Sequence, residues 1–254
     1  MSQPPEVVHY ASPAESDRRK QFAQLVRSNP IPDKGLLDNL GVFLNGKTLA
    51  RLKFMDFIYE QIVEVTGVVI KFGTRWGQNL SHWAALRGIY EPFNRHRKLI
   101  GFDTFAGFAG VSAEDGKSKM MTPGNYAVTP GYEQYLQQVL EFQEAEAPLA
   151  HIRKFELVKG DATVTLPRYL EQHPETIVAL AYFDFDLYEP TKKCLELIRP
   201  RLVKGSVVGF DELNDPDAPG ETLALMETLG LNNVRLRRLR RLRHTSRTAY
   251  FVVE

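Results

Sequence analysis

The sequence predicts an α/β protein built on a doubly wound, mostly parallel sheet. Short apolar runs alternate with segments of helical periodicity, the pattern of successive βαβ units. Several of these runs are apolar almost throughout, as strands covered on both faces require. A glycine-flanked turn follows the first run and opens a helix. The 254 residues, 43% hydrophobic and 25% charged, suffice for one core and exclude a largely disordered, collagenous or coiled-coil chain.

Residues 1–66 read as helical and are expected to form an N-terminal cap or lid within the same domain as residues 67–254. Phe22, Leu25 and Val26 share one face of residues 18–28, and residues 48–65 repeat Leu49, Leu52, Met55, Ile58, Ile62 and Val63 at helical spacing. Asn29-Pro30-Ile31-Pro32 separates the two. Strands are expected at 68–72, 98–102, 155–158, 177–183 and 206–210, with helices at 79–90, 132–145, 166–172 and 191–199 between them. A last helix over 221–229 precedes residues 234–243 and 248–253, read as an antiparallel hairpin closing one edge. Residues 107–131 form a long loop rich in Gly, Ser, Thr and Lys, the length of an active-site lid.

Charge and cysteine usage narrow the function classes. Thirty-two Lys plus Arg against 31 Asp plus Glu leave +1, so no global field draws the chain onto nucleic acid or an anionic membrane. A small-molecule partner is expected. Cys194 stands alone, which excludes an intrachain disulfide and any multi-cysteine metal site. Residues 1–16 lack a basic-then-apolar leader, and no apolar run approaches the roughly 20 residues of a membrane span. A cytoplasmic homo-oligomer is the expectation. The six histidines show no metal-ligand spacing on a common helix; His244, after the edge strand, is the pocket candidate among them. Six arginines between Arg235 and Arg243 read as a solvated edge-strand face, with phosphate or RNA contact as the alternative.

Five strand ends carry candidate chemistry. Gly73-Thr74-Arg75-Trp76-Gly77-Gln78-Asn79 follows the first strand, where glycines admit a close ligand and helix N–H groups face it; its Gly-x-x-x-Gly spacing lacks the second glycine of the dinucleotide fingerprint. Asp103 ends the second strand where an acid can accept both hydroxyls of an adenosine ribose, a group NAD and S-adenosylmethionine share. Asp161 could meet an adenine amino group or cap the next helix. At the fourth and fifth strand ends, Asp184 and Asp186 project to one side in extended chain and meet Asp211 and Glu212. Four uncompensated acids in one cleft repel each other, and a hard divalent cation such as Mg²⁺ is the simplest counterweight; helix capping accounts for one or two of them otherwise.

These pieces resemble the macrocin O-methyltransferase family, S-adenosylmethionine-dependent enzymes that methylate sugar hydroxyls in antibiotic biosynthesis. The similarity runs over about residues 67 to 215. It includes Gly101-Phe102-Asp103-Thr104-Phe105-Ala106-Gly107, Lys159-Gly160-Asp161, Phe183-Asp184-Phe185-Asp186-Leu187-Tyr188 and Val208-Gly209-Phe210-Asp211-Glu212. The resemblance implies a Rossmann-like methyltransferase sheet and a donor held by Gly73, Thr74, Gly77, Asn79, Asp103, Thr104, Phe105, Asp161, Ala162 and Asp184. It further implies Mg²⁺ on Asp184, Asp211 and Glu212, and Asp186 as the base. The acceptor would be a glycosylated small molecule or a nucleotide sugar. Two positions depart from the family pattern: Lys71 stands where an acid is common, and Glu212 replaces a second Asp. Competing readings are an NAD-dependent oxidoreductase, a non-catalytic nucleoside-binding protein of the same fold, and an RNA methyltransferase using the arginine run.

Overall fold

A computed structural model describes residues 11–239 and 247–254. Six strands form one sheet in the order β3-β2-β1-β4-β5-β6: β1 (Val68–Phe72), β2 (Leu99–Asp103), β3 (Phe155–Lys159), β4 (Val178–Phe183), β5 (Leu202–Phe210) and β6 (Ala249–Val252). The first five are parallel, and β6 runs antiparallel to β5. Chain order reverses between β1 and β4, which opens the crevice where such sheets bind ligands, outside the carboxyl ends of the strands.

Side chains of the buried strands alternate between two cores. Val69, Leu99, Leu180, Tyr182 and Val207 face α3 (Gly46–Glu60), α4 (Gln78–Tyr90) and α5 (Tyr132–Glu146). Ile70, Ile100, Ala181, Val208 and Phe210 face α6 (Ala162–Gln172), α7 (Tyr188–Ile198) and α8 (Gly220–Thr228). Phe102, Phe72, Phe183 and Phe210 lie side by side across four strands, with neighbouring ring centroids 5.5, 4.7 and 5.2 Å apart. Cross-strand aromatic pairs of this kind fix register, so the ladder sets the level at which the strand tips emerge.

The N-terminal helices divide by their packing. In α3, Ala50, Phe54, Met55, Ile58 and Tyr59 are buried against the sheet, whereas α1 (Pro13–Arg27) and α2 (Asp33–Leu36) bury no residue. Only part of the predicted edge hairpin is described: β6 pairs with β5, and Arg237 meets Tyr250 in a single antiparallel bridge on the outer side. His244 and three arginines of the run, Arg240, Arg241 and Arg243, lie outside the described residues. No helix among the described residues is long and apolar enough to cross a membrane.

Candidate active site

A cavity of about 1260 Å³ opens at the carboxyl ends of β1, β2, β4 and β5. Gly73, Thr74, Gly77, Asn79, Asp103, Thr104, Asp161, Ala162, Asp184, Asp186, Asp211 and Glu212 all line it. The fold therefore gathers nearly every residue singled out in the sequence. Phe105 is the exception: its backbone is left-handed (φ 55°) and its side chain belongs to the sheet core, because Asp103 Oδ1 takes its N–H and turns the ring inward.

The two loop glycines are demanded by protein neighbours. Both have positive φ, at 73° and 77°. A Cβ on Gly73 would run into the carbonyl of Asp184, and one on Gly77 into the Leu136 side chain. Gly73→Ala is therefore expected to push β1 away from β4, costing about 1–3 kcal/mol of stability. Urea unfolding checks this; an unchanged midpoint would remove the tight β1–β4 contact from the account.

Acids on this side of the cavity also hold the loops. Asp103 Oδ2 accepts from Arg75 N at 2.6 Å while Oδ1 accepts from Phe105 N at 2.6 Å. Burial raises the Asp103 carboxyl against those hydrogen bonds. Asp161 caps α6 by accepting from Thr163 N at 2.8 Å. The buried Asn79 Oδ1, in contrast, has no hydrogen-bond partner among the described residues although Asn79 lines the cavity.

Contrary to expectation, three of the four strand-tip acids face cations. Lys71, 1% exposed, donates to Phe72 O at 2.9 Å, Gly73 O at 2.6 Å and Asp184 Oδ2 at 2.7 Å. Arg51, reaching in from α3, donates to Asp211 Oδ2 at 2.7 Å and lies 3.6 Å from Asp184 Oδ2. Asp211 Oδ1 accepts from the Tyr182 hydroxyl at 2.6 Å. Arg247 Nε stands 2.8 Å from Glu212 Oε2, without the alignment of a hydrogen bond, and Arg247 also pairs with Asp215 at 2.6 Å. Burial works to raise Asp211, yet Arg51 and the Tyr182 hydroxyl hold its carboxyl below the usual range.

The predicted Mg²⁺ set of Asp184, Asp211 and Glu212 does not fit a divalent ion in this arrangement. Each member already faces an organic cation, and both oxygens of Asp211 are engaged. No group of three acidic, histidine or cysteine side chains among the described residues is disposed around a common ion position.

Asp186 differs from its neighbours. It sits at φ 61°, is 8% exposed, and no ion pair or hydrogen bond among the described residues engages its carboxylate. Burial, then the adjacent Asp184 and Glu221, raise this carboxyl well above its normal range. Glu221, unremarked in the sequence except as a helix start, is wholly buried and ties two strand tips together. Its Oε1 accepts from Phe185 N at 3.0 Å and Asp186 N at 3.4 Å, and its Oε2 from Glu212 N at 3.1 Å. The signal available was an acid opening α8, which capping explains equally well.

Residues 107–131 fold over the opening. Phe108, Val111 and Met121 pack with Phe185, Leu187 and Ala218, and Asp115 accepts from Tyr188 N at the start of α7. The Arg75 guanidinium lies 4.7 Å from the Tyr126 ring centroid, joining the glycine loop to this cover.

Two solved structures share this architecture over nearly the whole chain. One, described as the calicheamicin methyltransferase CalS11, is 44% identical, with a TM-score of 0.91, covering 97% of this chain and 95% of its own. The other is described as the apo structure of CalS11, a TDP-rhamnose 3'-o-methyltransferase of calicheamicin biosynthesis; it is 41% identical, with a TM-score of 0.83, covering 97% and 96%. This chain belongs to the sugar O-methyltransferase family. It is an O-methyltransferase, which sets aside the oxidoreductase and non-catalytic readings. The O-methyltransferase NovP, 19% identical with a TM-score of 0.60 over 80% of this chain and 79% of its own, shares the fold. Neither the family models nor the curated proteins give a match.

Proposed function

We propose that this O-methyltransferase moves the methyl group of S-adenosylmethionine to a hydroxyl of a deoxysugar carried on a nucleoside diphosphate, with Asp186 accepting the hydroxyl proton. The observation that carries the reading is Asp186, a buried carboxylate that no ion pair or hydrogen bond among the described residues engages and that lines a cavity roomy enough for a donor and a second, comparably large ligand. The similarity to CalS11, a TDP-rhamnose 3'-O-methyltransferase, supports the acceptor class, since the match covers 97% of this chain.

The residues present fit the donor. The orphaned Asn79 Oδ1 offers an acceptor at the start of α4, and Gly73, Thr74, Asp103, Thr104, Asp161 and Ala162 line the adjoining wall. When bound, S-adenosylmethionine supplies an electrophilic methyl on a sulfonium. The protein's task is then the acceptor, because a sugar hydroxyl is a weak nucleophile at neutral pH. A carboxylate raised by burial is the stronger base, and Asp186 is placed to take the proton as oxygen attacks. Residues 107–131 cover the opening and exclude water, while the fixed strand tips supply orientation. The carboxylates expected to hold Mg²⁺ are already paired with Lys71, Arg51 and Arg247, and none of these steps calls on the ion.

Thermal shift with S-adenosylhomocysteine or NAD, followed by mass spectrometry of TDP-rhamnose incubated with enzyme and S-adenosylmethionine, tests the reading. S-adenosylhomocysteine is expected to raise the melting temperature, and the sugar nucleotide to gain one methyl group. Stabilisation by NAD alone would overturn the donor. Methylation of free glycosides in preference to sugar nucleotides would overturn the acceptor class.

A further inference from the structure

The arginine among the strand-tip acids has a fixed address. Arg51 is carried by α3, whose Phe54, Met55 and Ile58 are buried in the sheet core, so its backbone cannot withdraw without unpacking that helix. Its guanidinium bridges Asp211 of the β5 tip at 2.7 Å and Asp184 of the β4 tip at 3.6 Å, while Lys71 closes on Asp184 Oδ2 at 2.7 Å. Tyr182 occupies the other oxygen of Asp211 at 2.6 Å. Arg51 and Asp186 both line the cavity. A guanidinium carries five N–H donors, of which the two acids use only a part, so donors remain for an oxygen of the occupant.

We infer that Arg51 does the bridging and orienting that a divalent cation could otherwise do at these carboxylates: it locks the β4 and β5 tips together, grips an acceptor oxygen beside Asp186, and frees turnover from any metal ion. The catalytic half of the inference rests on the methyl-transfer reading; the occupancy half does not. Arg51 is a positioning residue here, and the base remains Asp186. A dication placed between Asp184 and Asp211 would have to displace the guanidinium against like charge and take over oxygens already hydrogen-bonded. The covalently tethered cation has no such competition. Three elements that are remote in the chain thereby meet at one charge: α3, the tip of β4 and the tip of β5.

The test pairs metal binding with turnover in the full chain. Mn²⁺ is titrated into metal-stripped wild type, Arg51→Ala and Arg51→Lys, with free ion followed by electron paramagnetic resonance. Wild type and Arg51→Lys are expected to bind Mn²⁺ only weakly, and Arg51→Ala about tenfold more tightly, because freed carboxylates suit a hard ion. Wild-type methyl transfer is expected to survive EDTA unchanged. Arg51→Ala loses about 10²-fold in kcat, the scale of one lost transition-state donor, while S-adenosylhomocysteine affinity is retained, and added guanidinium or Mg²⁺ restores part of the rate. Equal Mn²⁺ binding by wild type and Arg51→Ala, or EDTA-sensitive wild-type turnover restored by Mg²⁺, overturns the inference. The wild-type arms need no variant to fold. Absence of methyl transfer to any sugar nucleotide defeats the acceptor reading instead and leaves the Mn²⁺ comparison intact.

Discussion

Asp186→Asn is expected to lower kcat by about 10²- to 10⁴-fold while S-adenosylhomocysteine binds as it does to wild type. The substitution is close to isosteric, and asparagine tolerates the left-handed backbone that this position adopts at φ 61° better than most residues. The Asp186 carboxylate makes no ion pair or hydrogen bond among the described residues, so the exchange disrupts no partner, and the N–H to Glu221 remains. What disappears is the basic lone pair. An amide cannot take the hydroxyl proton, and the loss falls on the chemical step. Single-turnover kinetics and calorimetric titration of S-adenosylhomocysteine separate the two quantities. Full turnover by the asparagine variant would remove the base from the mechanism.

Glu221 carries the largest expected effect on stability. Glu221→Ala strips the acceptor from three N–H groups, those of Phe185, Asp186 and Glu212. At about 1–3 kcal/mol for each unsatisfied buried group, with incomplete additivity, a cost of about 3 kcal/mol or more follows. The same residue sets a pH dependence. Burial first, and the nearby Asp184 next, raise its carboxyl from 4.5 to about 7. Between those values the folded protein keeps a proton that the unfolded chain releases, so stability falls as pH rises through that window, by about 3 kcal/mol across it. Glu221→Gln does not titrate and should flatten that part of the profile. Urea midpoints at pH 4.5, 6 and 7.5 measure both effects; a variant profile parallel to wild type would show that another group governs it.

The fold was legible because its signals are local. Apolar runs of four to seven residues placed β1, β2, β3 and β4 within a residue or two. The beginning of β5 was missed: Leu202–Phe210 starts four residues before the expected strand, and its Val203 and Lys204 are exposed, so that stretch lacks the buried-strand signature. The clustering of Asp184, Asp186, Asp211 and Glu212 was also legible, since acids ending two strands that lie side by side in a parallel sheet must meet. Their neutralisation was not. Arg51 and Asp211 lie 160 residues apart and Lys71 and Asp184 113 apart, and neither spacing bears any periodic relation to a helix or strand. The glycine loop was recognised by its position after β1, but the need for its glycines comes from the Asp184 carbonyl and the Leu136 side chain, both distant in sequence.

By itself the sequence determined the layered sheet, the family and the set of acids at the crevice, because hydropathy period and strand-end chemistry are written residue by residue along the chain. Only the tertiary structure decided which charge balances those acids and which carboxylate is left unpaired. Electrostatic partnership depends on separation through space, and that separation is set when α3 docks on the sheet and brings Arg51 between the tips of β4 and β5.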